Sequence, residues 1–494
     1  MLLNKKQSRR NFLKMAAMGG ISGIIPLPLK FAFASTLSST SKLFVNLSLD
    51  GGPDFRHLLV PPYDSSSDSY AYNFWKYRAS SHNINNPDDT NALKSRYENN
   101  YTTVSLGDTQ FGVLNKCGWL IKQINNGNVA ILNNTVLSTN RDHSHSIIIQ
   151  ESAQTSASSH DLERSGWGGR LAQQANKNLV SLSQNVRLFC NGQHISAPLK
   201  HDNSRVIDMS DSRKASLQEF DLTTADNNTD PYRIYWDDAK MKRMLKSYYS
   251  AKANEIDSSS PYYPIIQNEQ ILRKFGQSID NRLKNYTEPS RLKALYDYDF
   301  SSENLNNASF GQQIRNLYDA ILCQDVLNMG IASLDYGGWD SHKRTPSWIE
   351  GKLQDLFGSG QGFYSLYKEL ELVAPDILDK MIILVSGEFG RQLASNGSNG
   401  TDHGTGNSML LIGNSVKGGV YGDMFPLSEL GGNNNDPQYT FAQSGSDIKG
   451  LTSMQQVYAQ ISNWLSPTSA NLVVPNWNSS IMEKGVDLNL LLSS

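Results

Sequence analysis

Apolar residues along the chain gather into short runs rich in β-branched side chains, each closed by polar or glycine-rich segments: Leu43 to Leu49, Val129 to Leu132, Ile331 to Leu334, Met381 to Val385 and Met409 to Ile412. Runs this short, bounded by turn-formers, predict strands buried on both faces. Between them the period changes. Over Gln312 to Met329, the apolar positions Ile314, Leu317, Tyr318, Ile321, Leu322 and Val326 recur about every 3.6 residues, which predicts an amphipathic helix. Strands alternating with helices predict an α/β fold with a mostly parallel central sheet flanked by helices. From Gln193 to Asn307 the texture turns to Asn, Ser, Lys and Tyr, with helices predicted at Asp238 to Tyr249 and Gln267 to Tyr286. That stretch, 193–307, reads as a helical insertion or cap between two parts of one core, 35–192 and 308–494. Patches rich in Asn and Ser at 63–100, 393–400 and 432–437 read as surface loops.

The amino terminus has a different pattern. Ser8-Arg9-Arg10-Asn11-Phe12-Leu13-Lys14 sets two arginines before an apolar pair, a weakly hydrophobic run follows from Met15 to Ile25, and Ala32-Phe33-Ala34 closes the segment. This is the layout of a secretory signal with cleavage after Ala34, and it resembles a twin-arginine (Tat) signal, whose route carries folded and often cofactor-loaded proteins. The run is far short of the roughly 20 apolar residues of a spanning helix. Residues 1–34 are therefore expected to be removed, with the Tat export machinery as partner and the periplasm, the medium or the cell surface as address.

Export changes the charge balance. Removing Lys5, Lys6, Arg9, Arg10, Lys14 and Lys30, and no acids, from 45 basic and 47 acidic residues leaves 39 against 47. A mildly acidic chain lacks the basic footprint of a nucleic-acid binder. No later run has the length of a membrane span. Cys117, Cys190 and Cys323 are odd in number and far apart, so at most one bridge is possible and no thiolate zinc site is predicted. Trp75, Trp119, Trp167, Trp236 and Trp339 are scattered, which suits core positions better than a carbohydrate platform.

In an open α/β sheet, ligands bind beyond the carboxyl ends of the strands. Those positions here carry metal-ligand side chains. Asp50-Gly51-Gly52-Pro53-Asp54 follows the first run, Asp335 to His342 the third and Ser386-Gly387-Glu388-Phe389-Gly390-Arg391 the fourth, while Thr401-Asp402-His403-Gly404 precedes the fifth. Mixed carboxylates and imidazoles without cysteine suit zinc, manganese or iron. The candidate ligands are Asp54, Asp340, His342, Glu388, Asp402 and His403. Four have a plainer alternative, a turn or cap residue for Asp54, a loop pair for Asp340 and His342 and an ion pair with Arg391 for Glu388, whereas a histidine beside glycine, as His403 is, has little reason to be core. After the second run, Arg141-Asp142-His143-Ser144-His145-Ser146 leads into Ile147, Ile148 and Ile149. Ser or Asp here caps a helix, and a serine at a helix start also faces unpaired N–H groups that favour an anion. Ser144 is the candidate nucleophile, with Ser146 its rival, and Arg391 or Arg141 the candidate clamp on an anionic group.

These words together resemble the Tat-exported family called domain of unknown function 1501, which is similar to the alkaline phosphatase and sulfatase superfamily. The resemblance runs from Gly51-Gly52-Pro53-Asp54 through Ser144-His145 and Gly166-Trp167-Gly168-Gly169-Arg170 to Gly337-Gly338-Trp339-Asp340-Ser341-His342. It continues in Ser386 to Arg391, Asn396-Gly397-Ser398, Gly400 to Gly404 and Val416 to Gly422. It implies an alkaline-phosphatase-like sheet with metal ligands and a serine or threonine nucleophile at the strand ends. Two departures stand out: Phe389 occupies a position where superfamily hydrolases place a histidine ligand, and Phe55-Arg56-His57 follows the first motif in place of a small glycine. The expected function is hydrolysis of a phosphate or sulfate ester, small or borne on a polysaccharide, by one or two divalent ions, zinc or manganese, with a serine or a metal-bound water as nucleophile. The alternative is a noncatalytic surface or envelope protein that keeps the fold.

Overall fold

The computed structural model describes residues 41–158, 164–194, 201–210, 287–296, 308–431, 436–489 and 491–493, with isolated positions between 212 and 283. The signal segment and the helices expected at 238–249 and 267–286 lie outside the described residues or almost so. All five strands expected from the apolar runs are present. They are β1 (Leu43–Asp50), β2 (Val129–Val136), β5 (Met329–Gly337), β6 (Met381–Ser386) and β7 (Asn407–Ile412). Four shorter strands complete the same sheet: β3 (Asn178–Ser181), β4 (Val206–Asp208), β8 (Gly419–Tyr421) and β9 (Thr452–Ser453). The order is β8-β2-β7-β6-β1-β5-β3-β4, with β9 also paired to β2. Among these strands only β7 runs against its neighbours; β1 is parallel to both β5 and β6. The fold is thus α/β with a large, mostly parallel sheet. β4 falls within the range expected as a cap, so at least that part of 193–307 belongs to the sheet.

Alternation along the strands divides the interior in two. Leu43, Val45, Leu47 and Leu49 of β1 join Ile383 and Val385 of β6 in one core, which also takes Leu317 and Ile321 from α3 (Ala308–Leu322), Leu353 from α4 (Thr345–Phe357) and Leu366 from α5 (Gly362–Val373). Phe44, Ile382 and Leu384 point the other way. They pack with Ile148 and Ile149 of α1 (His143–Ser152), Trp167 and Leu171 of α2 (Trp167–Ala175) and Val457 and Ile461 of α6 (Met454–Leu465). Both faces are covered, which is why the central strands read as continuous apolar runs. The helix expected over Gln312 to Met329 forms as α3 and a short turn at Gln324–Leu327.

The patch 63–100 is not a surface loop. It holds helices Tyr70–Tyr77 and Thr90–Asn100, capped by Ser69 and Asp89 and anchored by buried Tyr70, Phe74, Trp75, Leu93 and Tyr97. Its polar composition hides a few large aromatics at helical spacing. They pack over a three-stranded antiparallel sheet of Leu59–Val60, Tyr101–Leu106 and Thr109–Leu114. The cysteines are all free and buried. Trp75, Trp119, Trp167 and Trp339 are core residues. No helix among the described residues is long and apolar enough to cross a membrane.

Candidate metal centre

Register brings the chemistry to one edge. Asp50 of β1 pairs with Gly337 of β5, and Ser48 with Ser386 of β6, so the segments after all three strands leave the sheet side by side. β7 is antiparallel, so its beginning lies at that edge and carries the preceding Asp402 and His403 there. The loops are then laced together: Trp339 N–H donates to Asp50 O at 3.0 Å, Thr401 N–H to Ser341 O at 3.0 Å and Gly404 N–H to Gly390 O at 2.8 Å. Gly51 is required here, since its φ is +121° and a Cβ would collide with the Asp340 amide.

Asp340, His342 and His403 converge. His403 Nε2 lies 2.9 Å and His342 Nε2 3.1 Å from Asp340 Oδ1, and the two Nε2 atoms are 3.0 Å apart. His143, the first residue of α1, places Nε2 3.8 Å from Asp340 Oδ2. The ligand atoms of His143, Asp340 and His403 all lie within 4.8 Å of one another, a grouping that could hold a metal ion.

The hydrogen bonds behind the rings decide which nitrogens face inward. His403 Nδ1 donates to the Arg141 carbonyl at 2.9 Å, His342 Nδ1 to Asp402 Oδ1 at 2.8 Å and His143 Nδ1 to Glu388 Oε1 at 2.8 Å. A carbonyl can only accept, and an ionised carboxylate likewise, so each proton sits on Nδ1 and each Nε2 of a neutral ring presents a lone pair. Two lone pairs and a carboxylate oxygen in a triangle about 3 Å on a side repel one another unless a proton or a cation lies between them, and since ligands about 2.1 Å from a tetrahedral zinc stand about 3.4 Å apart, the triangle need open only slightly to take one. An oxygen behind each imidazole is also how metal-binding histidines are oriented. The residues therefore fit a divalent ion.

Electrostatics agree. Partial burial works against the Asp340 charge, but the hydrogen bond and positive charge of Arg391 outweigh it and hold the carboxyl down to about 2. Asp402 is also held low, where bonds from Asn396 and His342 overcome desolvation. The Glu388 hydrogen bond, ahead of desolvation, raises the pKa of His143.

The remaining expectations divide. Glu388 and Asp402 act through His143 and His342, behind the cluster; Glu388 is buried and also accepts from Gly51 N–H at 2.9 Å. Asp54 lies apart: its buried carboxylate pairs with Arg78, which also donates to Gln392 O and Leu393 O, so a guanidinium takes the place expected for a cation. Arg391 is no open clamp. It is buried, with Nε on Gly52 O at 2.7 Å, Nη1 on Thr401 O at 3.0 Å and Nη2 shared among Gly51 O, Trp339 O and, at 2.7 Å, Asp340 Oδ1. Arg141 pairs with Asp447 at 2.5 Å. Phe389 packs its ring against His143 and His403, with centroids 4.9 and 4.7 Å away. Apolar surface thus fills the position implied for a further ligand.

Neither serine caps α1. Asp142 does, accepting from His145 N–H at 2.9 Å, while Ser144 follows His143 on the exposed first turn. Ser146 is buried and donates to Asn140 O at 2.6 Å, which leaves it no role as a nucleophile. His143 is the member of this cluster that sequence reasoning passed over. Its only signal was a histidine directly after a helix-capping aspartate, in a segment read for its serines. Asp142→Ala is expected to lower stability by about 1 kcal/mol through loss of the cap, seen as a lower urea midpoint, and to loosen the placement of His143.

Residues 265–443 match the model of a family described as a protein of unknown function (DUF1501). The match includes Asp340, His342, Glu388, Arg391, Asp402 and His403 and supports the resemblance drawn from the motifs. His143 lies outside it. No curated protein matches the chain.

Proposed function

We propose that the protein is an exported, metal-dependent hydrolase of a phosphate or sulfate ester, with an alkaline-phosphatase-like core. The observation that carries this reading is the set of three imidazoles, each with Nδ1 engaged from behind and Nε2 turned toward the Asp340 carboxylate. Asp340, His342 and His403 would hold the ion, with His143 beside them. When bound, a divalent cation there supplies Lewis-acid polarisation of the ester oxygens. The chain's own residues do the rest. Arg391 keeps Asp340 ionised and fixes the Gly51–Gly52 turn, Asp402 and the Arg141 carbonyl hold two rings in one tautomer, and Phe389 lays an apolar ring against His143 and His403. Apolar packing at Phe389 favours one ion over two. The arginine pair and the short apolar run within residues 1–34 support Tat export to the periplasm or cell surface.

The test is metal analysis of protein purified without chelator, followed by a screen with aryl phosphate and aryl sulfate. About one equivalent of zinc or manganese, with turnover abolished by chelation and restored by the metal, is expected. Metal-free protein that stays inert after adding either ion would favour the noncatalytic envelope protein. Ser144→Ala is expected to keep full metal content and turnover within about tenfold of the parent, because no base within hydrogen-bond reach activates that hydroxyl among the described residues. A loss of a thousandfold would restore the serine as nucleophile.

A further inference from the structure

His143 stands differently from the other two imidazoles. Asp340 Oδ1, His342 Nε2 and His403 Nε2 form a triangle with sides of 2.9 to 3.1 Å, close to the spacing of ligands around one ion. His143 Nε2 approaches the other oxygen of Asp340, at 3.8 Å, so it faces the triangle from the side. Its ring is immobilised: Glu388 holds Nδ1 at 2.8 Å, Gly51 N–H holds Glu388, Phe389 lies against one side, and the His403 ring crosses it at 76° with centroids 4.5 Å apart.

Three features give that nitrogen a use. The ring's Nδ1 is engaged at 2.8 Å by the buried Glu388 carboxylate, which leaves Nε2 as the nitrogen directed at the site, the arrangement that orients an imidazole in base-assisted catalysis. His143 begins a helix of ten residues, where the Ser144 N–H has no acceptor within the helix, although the Asp142 carboxylate already caps His145 N–H. The neighbouring hydroxyls offer no competition, since Ser146 is buried against Asn140 O and Ser144 has no hydrogen-bonded base among the described residues.

We propose that His143 Nε2, and not a serine hydroxyl, accepts the phosphoryl group of a phosphate monoester, so that turnover passes through a phosphohistidine. This rests on the hydrolase reading above and adds to it the substrate class and the acceptor. In the first step the Nε2 lone pair forms a bond to phosphorus and the phosphorus–oxygen ester bond breaks. The electron pair leaves with the alkoxide, which takes a proton from water. The Nδ1 proton stays on the ring, where Glu388 offsets the positive charge. In the second step water adds to phosphorus and the nitrogen–phosphorus bond breaks with its electron pair returning to Nε2. The water proton goes to solvent, and an alcohol and inorganic phosphate are the products.

The experiment uses metal-loaded protein and 4-nitrophenyl phosphate labelled at phosphorus, quenched during turnover in acid and in alkali. A phosphoramidate survives alkali and is lost in acid; a phosphoserine does the reverse. Alkali-stable label mapping to the peptide that contains His143 is expected. His143→Gly is expected to bind metal at the parent stoichiometry, lose at least about 1,000-fold in turnover and regain part of it with added imidazole. His143→Gln, which keeps a side chain in place, serves as the check on folding and should be equally inactive without rescue. Loss of metal in either folded variant would make His143 a ligand and overturn the proposal, as would acid-stable label on Ser144 or turnover that persists in His143→Gly. A parent protein that binds metal yet hydrolyses only the aryl sulfate would refute the phosphoryl transfer alone. A parent protein inert toward both esters would remove the hydrolase reading itself.

Discussion

Asp340→Asn is expected to weaken zinc or manganese binding by at least about 100-fold, beyond what is typical for losing a group that only orients a ligand. Asp340 Oδ1 is the atom on which the site closes: His342 and His403 stand within 3.1 Å of it and Arg391 within 2.7 Å. Among the atoms that face the proposed ion it supplies the negative charge, since Glu388 and Asp402 are turned toward imidazole Nδ1 atoms. Asparagine keeps the volume and leaves an oxygen for Arg391, so the fold is expected to persist and the change isolates the charge. Calorimetric titration of chelator-stripped protein gives the affinity directly. Melting offers a second readout, because an ion at a hundred times its dissociation constant stabilises the folded state by about 2.7 kcal/mol. That increment should be present in the parent and absent in Asp340→Asn at equal metal. Equal affinity in the two proteins would mean that Asp340 binds Arg391 and nothing else.

Arg391→Met is expected to cost about 3 kcal/mol or more, because several buried carbonyl oxygens lose their donor at once. Gly51 O, Gly52 O, Trp339 O and Thr401 O all accept from this one guanidinium, which is closed off from solvent. Arg391→Lys is expected to recover little, since a single ammonium cannot spread across acceptors on separate loops as a planar fork does. Chemical denaturation measures the first effect. The two variants should also bind metal more weakly, as the Gly51–Gly52 turn and Asp340 are released together. A substitution with no effect on the denaturation midpoint would show that the turns hold without the arginine, and that its place there is incidental.

Much of the fold was legible along the chain. The five apolar runs could bury themselves only as strands covered on both sides, and they did so at the expected positions. What failed was composition read at a distance: the stretch 63–100 looked like loop because Asn and Ser outnumber its few anchoring aromatics, and burial depends on where those aromatics fall, not on their number. Short strands such as β4 and β9 left no pattern, since two or three residues cannot display alternation.

At the site, the sequence alone determined the supply of chemistry: carboxylates and imidazoles next to strand ends, with glycines that allow tight turns, and no cysteine among them. Tertiary structure decided the assignment. It turned Arg391 inward, gave Asp54 to Arg78, set Glu388 behind His143 and brought His143 forward in place of the serine beside it. The physical reason lies in the hydrogen bonds. Which nitrogen of a histidine is bare, and whether a carboxylate meets a ring or a guanidinium, depends on partners hundreds of residues away, as with His143 and Glu388. Those partners meet only once the parallel register of β1, β5 and β6 and the reversed β7 bring four loops to one edge.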